Sequence, residues 1–175
     1  MILLLGGARS GKSDTAVRLA ADAGAPVTFI ATAEAGDAEM AERIERHRTQ
    51  RPTAWTTVEA PVDLYAAVGS SPPANYMVID CLTLWVSNLL GRGRTGREVL
   101  AEARRVADLL RERPAVVVSN EVGLGIMPAN ELARLFGDTL GSANAIFASA
   151  ASRSLLMVAG RALALPSVDD ALAAE

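Results

Sequence analysis

Gly6-Gly7-Ala8-Arg9-Ser10-Gly11-Lys12-Ser13 fits G-x-x-x-x-G-K-[ST], a spacing suited to holding the phosphates of a nucleotide. Its glycines let the backbone curl until successive N–H groups point inward at phosphate oxygens. A helix starting at the end of the loop adds partial positive charge. The Lys12 ammonium would neutralise the β- and γ-phosphates of ATP or GTP, and the Ser13 hydroxyl would bind Mg²⁺. Composition singles out the same residue, because Lys12 is the only lysine and every other basic residue is arginine. A compact charge on a flexible stem does what a wide planar guanidinium does badly. Such a loop also wants an acid at the end of a neighbouring strand to hold the metal, directly or through water. Asp80, directly after Tyr76–Ile79, is the first candidate; Glu121, just beyond Val116–Val118, is the second.

A second chemistry-bearing stretch is Arg43-Ile44-Glu45-Arg46-His47-Arg48-Thr49-Gln50-Arg51-Pro52, followed by Trp55, Thr57 and Glu59. His47 is the only histidine. A neutral imidazole is a good nucleophile near neutral pH, its unperturbed pKa being about 6.5. Nearby arginines favour the neutral form and can hold the phosphates of an incoming nucleotide. This combination would support attack of His47 on an α-phosphate, expelling pyrophosphate and leaving a histidine–nucleotide intermediate. The same residues also read as a structural histidine on a solvated, arginine-rich helix.

These groups need strands and helices to place them. Five short apolar runs stand out: Ile2–Leu5, Val27–Ile30, Tyr76–Ile79, Ala115–Val118 and Leu155–Val158. Uninterrupted runs of this length suit strands buried on both faces of a parallel sheet. Between them lie helical patterns. Ser13–Ala23 is rich in alanine, and Asp37–Thr49 stacks Met40, Ile44 and His47 on one side. Thr95 with Glu98 forms a capping box opening a helix to about Glu112, which Pro114 stops. Asn130–Leu140 and Ser142–Ala151 read as two helices parted by Gly141. Ala33–Gly36, Gly69–Asn75, Gly91–Gly96 and Asn120–Pro128 read as loops, and the small, acidic tail after Pro166 as loosely ordered. Alternating strands and helices imply an α/β protein, with helices on both faces of a mainly parallel sheet. At 175 residues one domain accounts for the chain.

Composition narrows the setting. A net charge of −3 gives no reason to expect nucleic acid as a partner. No apolar run has the length of a membrane-spanning helix, and Met1–Leu5 is too short for a signal peptide core. The single cysteine, Cys81, rules out an internal disulfide framework and fits a reducing cytoplasm.

From the first strand to about Gly160 the chain resembles the bifunctional adenosylcobinamide kinase / adenosylcobinamide-phosphate guanylyltransferase family of cobalamin biosynthesis. The resemblance is carried by Gly6–Ser13, by Phe29 before Ile30-Ala31-Thr32, and by Arg43-Ile44 through His47 to Arg51-Pro52. It continues in Trp55–Glu59, in Asp80-Cys81-Leu82-Thr83-Leu84-Trp85-Val86-Ser87-Asn88-Leu89-Leu90, and in Ser119–Pro128. It implies a RecA-like P-loop NTPase fold and a homotrimer. It also implies phosphorylation of the aminopropanol hydroxyl of adenosylcobinamide, then transfer of GMP from GTP to that phosphate through a guanylylated histidine. His47 stands at that histidine's position. By the same resemblance GTP contacts fall on Gly6, Gly7, Ala8, Arg9, Ser10, Gly11, Lys12 and Ser13, and on Ala31, Thr32 and Ala33. They continue on Arg48, Thr49, Gln50 and Arg51, and on Glu59 and Asp80, with Mg²⁺ on Ser13 and Asp80. The helix carrying His47, hinged near Ala33–Gly36, is expected to move between the two reactions.

Two departures stand out. Asn144-Ala145 replaces the usual Asn-Gln, and Ala164-Leu165-Pro166 replaces a basic ending. A plain small-molecule kinase with a structural His47, and a non-enzymatic P-loop switch, are the rival readings.

Overall fold

Seven strands build the sheet of the computed structural model, in the order β3-β2-β4-β5-β1-β6-β7. Residues 1–49 and 51–173 are described, apart from the side chains of Arg43 and His47. Four of the five inner strands are expected apolar runs: β1 (Ile2–Gly6), β2 (Val27–Ala31), β4 (Tyr76–Asp80) and β5 (Ala115–Val118). All pair in parallel. Their side chains are buried on both faces. Leu4, Phe29, Val78 and Val116 pack beneath α1 (Lys12–Asp22), whose alanines Ala16 and Ala20 let it lie close to the sheet. Leu3, Ile30, Ile79 and Val117 face a larger core. That core also takes in α3 (Leu64–Ser70), α4 (Leu82–Gly91), α5 (Gly96–Leu110) and α6 (Glu131–Ala150).

Local signals set several boundaries. The Thr95–Glu98 capping box forms as the sequence predicts and opens α5. Asp37 caps α2 (Ala38–Thr49) by accepting from the Met40 N–H at 2.7 Å. β3 (Thr56–Glu59) is an edge strand paired with β2.

Three expectations need correction. The last helical region is a single 20-residue helix, unbroken at Gly141. A mid-helix glycine costs about 1 kcal/mol relative to alanine. The buried face running through Leu140, Ala143, Asn144 and Phe147 offsets that cost. The run Leu155–Val158 extends to β6 (Arg153–Val158) and turns back into an antiparallel strand, β7 (Arg161–Leu165). The turn is Ala159-Gly160, with φ of 50° and 73°, the pair of positive angles a two-residue type I′ hairpin demands. Alanine seldom takes that conformation, so the sequence carries no obvious hairpin signal. Past Pro166 the chain forms a short helix, α7 (Val168–Ala173), exposed throughout.

Candidate active site

The phosphate loop joins β1 to α1 at the carboxyl edge of the sheet. Its backbone alternates hands: φ is 149° at Gly6, 57° at Arg9 and 92° at Gly11. Such reversals turn successive N–H groups toward one point. Gly6 is needed on a second count, since a Cβ there would lie 2.3 Å from the Met157 carbonyl oxygen. The β6–β7 turn supports the loop, because the Gly160 N–H donates to the Ser10 carbonyl at 3.0 Å. Lys12, 6% exposed, sends its Nζ into the curl. There it donates to the carbonyl oxygens of Gly6 (2.9 Å) and Gly7 (2.7 Å) and to Ser10 Oγ (3.3 Å).

Beside this loop opens a cavity of about 690 Å³. Ser13 forms one side, and Ala31 and Ala33, from the end of β2 and just beyond it, another. Asp80 and Cys81 come from the end of β4. Thr57 and Glu59, two apart on β3, point the same way as a strand requires. The far wall is Met40, Ile44 and Arg48, spaced by four along α2, followed by Arg51 and Trp55. His47 lies on α2 between Ile44 and Arg48; its side chain and the whole of Gln50 fall outside the described residues. Thus Ser13, Ala31, Ala33, Arg48, Arg51, Glu59 and Asp80, scattered over 68 positions of sequence, share one cavity. Thr49 is exposed and its hydroxyl donates to the Arg46 carbonyl at 3.0 Å. Glu121, the alternative acid, accepts from the Gly123 N–H at 2.5 Å, within its own loop.

Arg51 is the most constrained of these side chains. Its guanidinium carbon sits 3.7 Å over the Phe29 ring, and Phe29 stacks on Trp55 with centroids 6.5 Å apart. Burial lowers the Arg51 pKa; the Asp80 and Glu59 carboxylates favour its charge, while Arg48 opposes it. Its buried Nε has no hydrogen-bond partner among the described residues. A buried donor without an acceptor is costly, on the order of 1–3 kcal/mol, and an anionic ligand beside it would remove that cost.

Cys81 lines the same cavity. Burial first, and the Asp80 charge second, push its thiol up to about 11. The folded protein therefore keeps this proton well above the ordinary cysteine range, and the thiolate gains population only as pH rises toward that value. At pH 8 the thiolate fraction is about a thousandth, against about a tenth for an ordinary thiol of pKa 9. Alkylation by iodoacetamide at pH 8 should be about 100-fold slower than in the urea-unfolded chain. It should keep rising about tenfold per pH unit through pH 10. A plateau near pH 9 in the folded protein would contradict the shift.

The cobinamide kinase / cobinamide phosphate guanyltransferase family model matches residues 2–165, from β1 to the end of β7. The chain belongs to this family. It is 45% identical over 161 residues to the bifunctional adenosylcobalamin biosynthesis protein CobP of Pseudomonas aeruginosa, covering 90% of this chain and 92% of the relative. It is 39% identical over 175 residues to the bifunctional adenosylcobalamin biosynthesis protein CobU of Escherichia coli, covering 91% and 96%. The protein of that name from Salmonella typhimurium matches equally.

In this kinase/guanyltransferase chain the structure gives a physical role to landmark residues whose purpose the sequence left unstated. Asn88, an amide within the largely apolar α4, donates to the carbonyls of Thr32 (2.8 Å) and Pro61 (3.0 Å). Trp85 Nε1 donates to Val62 O at 2.8 Å. Thr32, expected to contact nucleotide, is fully buried; its hydroxyl bridges the carbonyl and N–H of Cys81 at 2.7 and 2.8 Å, joining the ends of β2 and β4. Asn144, buried in α6, accepts from Ser119 Oγ at 2.6 Å and donates to Asn120 O at 3.1 Å. Its departing neighbour Ala145 is exposed. The signal for Asn88, Thr32 and Asn144 was a polar residue inside an apolar stretch. That pattern announces a buried hydrogen bond without naming its partner.

Proposed function

We propose that the protein phosphorylates the hydroxyl of adenosylcobinamide with ATP or GTP, then transfers GMP from GTP to the resulting phosphate. The observation that carries this reading is the shared cavity. It joins Ser13 of the phosphate loop and Asp80 to the α2 segment holding His47. Ser13 and Asp80 offer a hydroxyl and a carboxylate to the same space, a hard-oxygen pair that fits Mg²⁺. When bound there, the ion supplies neutralising charge for the β- and γ-phosphate oxygens.

In the kinase step the loop N–H groups of residues 6–13 bind the triphosphate. The Lys12 ammonium exchanges its contacts with loop carbonyls for phosphate oxygens. The acceptor oxygen bonds to the γ-phosphorus, the γ-phosphorus–bridging-oxygen bond breaks with the nucleoside diphosphate leaving, and the hydroxyl proton passes to water. Positioning and electrostatics suffice. In the transferase step a His47 ring nitrogen bonds to the α-phosphorus and pyrophosphate departs. The corrinoid phosphate oxygen then displaces the histidine to give adenosylcobinamide-GDP. Arg48, Arg51 and Glu59 hold the nucleotide during this exchange, with the buried Arg51 Nε as a donor awaiting an acceptor. Covalent transfer splits one difficult displacement into two easier ones.

A homotrimer in the cytoplasm completes the reading. Trimer formation would cover apolar surface at the edge strand β7, where Leu163 and neighbouring Val158 are exposed. Among the described residues no helix is long and apolar enough to cross a membrane.

Incubation with GTP, Mg²⁺ and cobinamide, followed by mass spectrometry, tests the sequence of reactions. Cobinamide phosphate should appear first and cobinamide-GDP after it. Phosphate alone would reduce the protein to a plain kinase. Nucleotide binding without any corrinoid product would make it a switch.

A further inference from the structure

The loop after β5 is built as a platform beside the phosphate site. Its base is bonded to the first turn of α4, which follows the Asp80 strand, and to the end of β1. The Asn120 N–H donates to Thr83 Oγ1 at 2.8 Å, just after the Asp80 strand end. The Glu121 N–H donates to the Gly6 carbonyl at 3.1 Å, where the phosphate loop begins. The far end is pinned as well, Arg134 Nη1 donating to the carbonyls of Pro128 (3.0 Å) and Ala129 (2.6 Å). The Glu121 carboxylate and the Asn130 amide turn back onto their own backbone. Polar groups thus hold the loop's ends, and what faces solvent between them is apolar. Leu124 is 84% exposed, Ile126 99% and Met127 75%. No charged residue lies between Val122 and Met127. Large apolar side chains displayed this fully by an anchored loop mark a binding surface.

We infer that Leu124, Ile126 and Met127 form the resting surface for the corrin ring of the acceptor, an inference that rests on the function proposed above. β5 lies between β4, which ends at Asp80, and β1, which enters the phosphate loop. The base of its loop therefore starts at the carboxyl edge of the sheet, between the strand end that carries Asp80 and the phosphate loop. In the kinase step the acceptor oxygen must come within about 3–3.5 Å of the phosphorus. The bulk of a macrocycle attached to that oxygen then needs nearby protein to lean on. The cavity on the β2–β4 side, where Arg48, Arg51, Glu59 and Asp80 stand among apolar residues, is assigned to the nucleotide. The loop offers the uncharged surface that a rim of methyl groups and neutral amides requires. A second copy of the chain has a separate candidate surface in β7.

The test is the pair of variants Leu124→Ser/Ile126→Ser and Ile126→Ser/Met127→Ser. All three positions are exposed, so both proteins should fold. Each pair should raise the KM for cobinamide about tenfold or more in the kinase assay. Affinity for a fluorescent GTP analogue, labelling by α-labelled GTP and molar mass by light scattering should all stay as in wild type. An unchanged cobinamide KM would overturn the inference and leave the proposed function standing. A changed molar mass would overturn it by making the loop a contact between copies. A wild-type protein that fails to phosphorylate cobinamide would instead overturn the function beneath it.

Discussion

Lys12→Ala should remove phosphorylation and guanylyl transfer together, each by roughly 10²–10³-fold in kcat/KM. The ammonium sits inside the curled loop within 3.3 Å of three oxygens belonging to Gly6, Gly7 and Ser10. No other lysine exists in the chain to replace it. Both reactions use a triphosphate seated on this loop, so both lose the same charge. Lys12→Arg should rescue little, because a planar guanidinium is too wide for a niche bounded by Gly6 and Ser10. Steady-state assays of the two reactions, with titration of a fluorescent GTP analogue, measure the loss. Retention of either activity near its wild-type level would mean that the loop serves only one of them.

His47→Ala should separate what Lys12→Ala joins. Loss of a covalent nucleophile typically costs a reaction several orders of magnitude, and guanylyl transfer should fall by about 10⁴-fold or more. Phosphorylation of cobinamide should remain within about threefold of wild type, since no bond to the histidine forms in that step. Cobinamide phosphate would then accumulate. A parallel fall in both reactions would place His47 in the framework of the cavity instead of in its chemistry.

The sequence revealed most where a residue type has only one physical use. Five uninterrupted apolar runs suit strands buried on both faces, and all five lie in strands, the last within the longer β6. The phosphate loop was legible because Gly6 and Gly11 take backbone angles that other residues avoid. The joining of Asp80 and Glu59 with Arg48 and Arg51 was legible only through family resemblance. Nothing local ties residue 48 to residue 80. The β6–β7 hairpin carries no plain sequence signal because Ala159 stands where asparagine or glycine is usual. Gly141 suggested a break that a buried helix face overrides. Thr32, Asn88 and Asn144 were visible as landmarks, but a sequence cannot say which carbonyl a buried amide or hydroxyl will meet.

Incubating the protein with Mg²⁺ and GTP labelled at the α-phosphorus, without corrinoid, interrogates the covalent step itself. Wild-type protein should carry acid-labile label that remains through denaturation and leaves as cobinamide-GDP when cobinamide phosphate is added. His47→Ala should carry none. Formation of cobinamide-GDP by a protein that never holds the label, or equal labelling of the variant, would contradict transfer through His47.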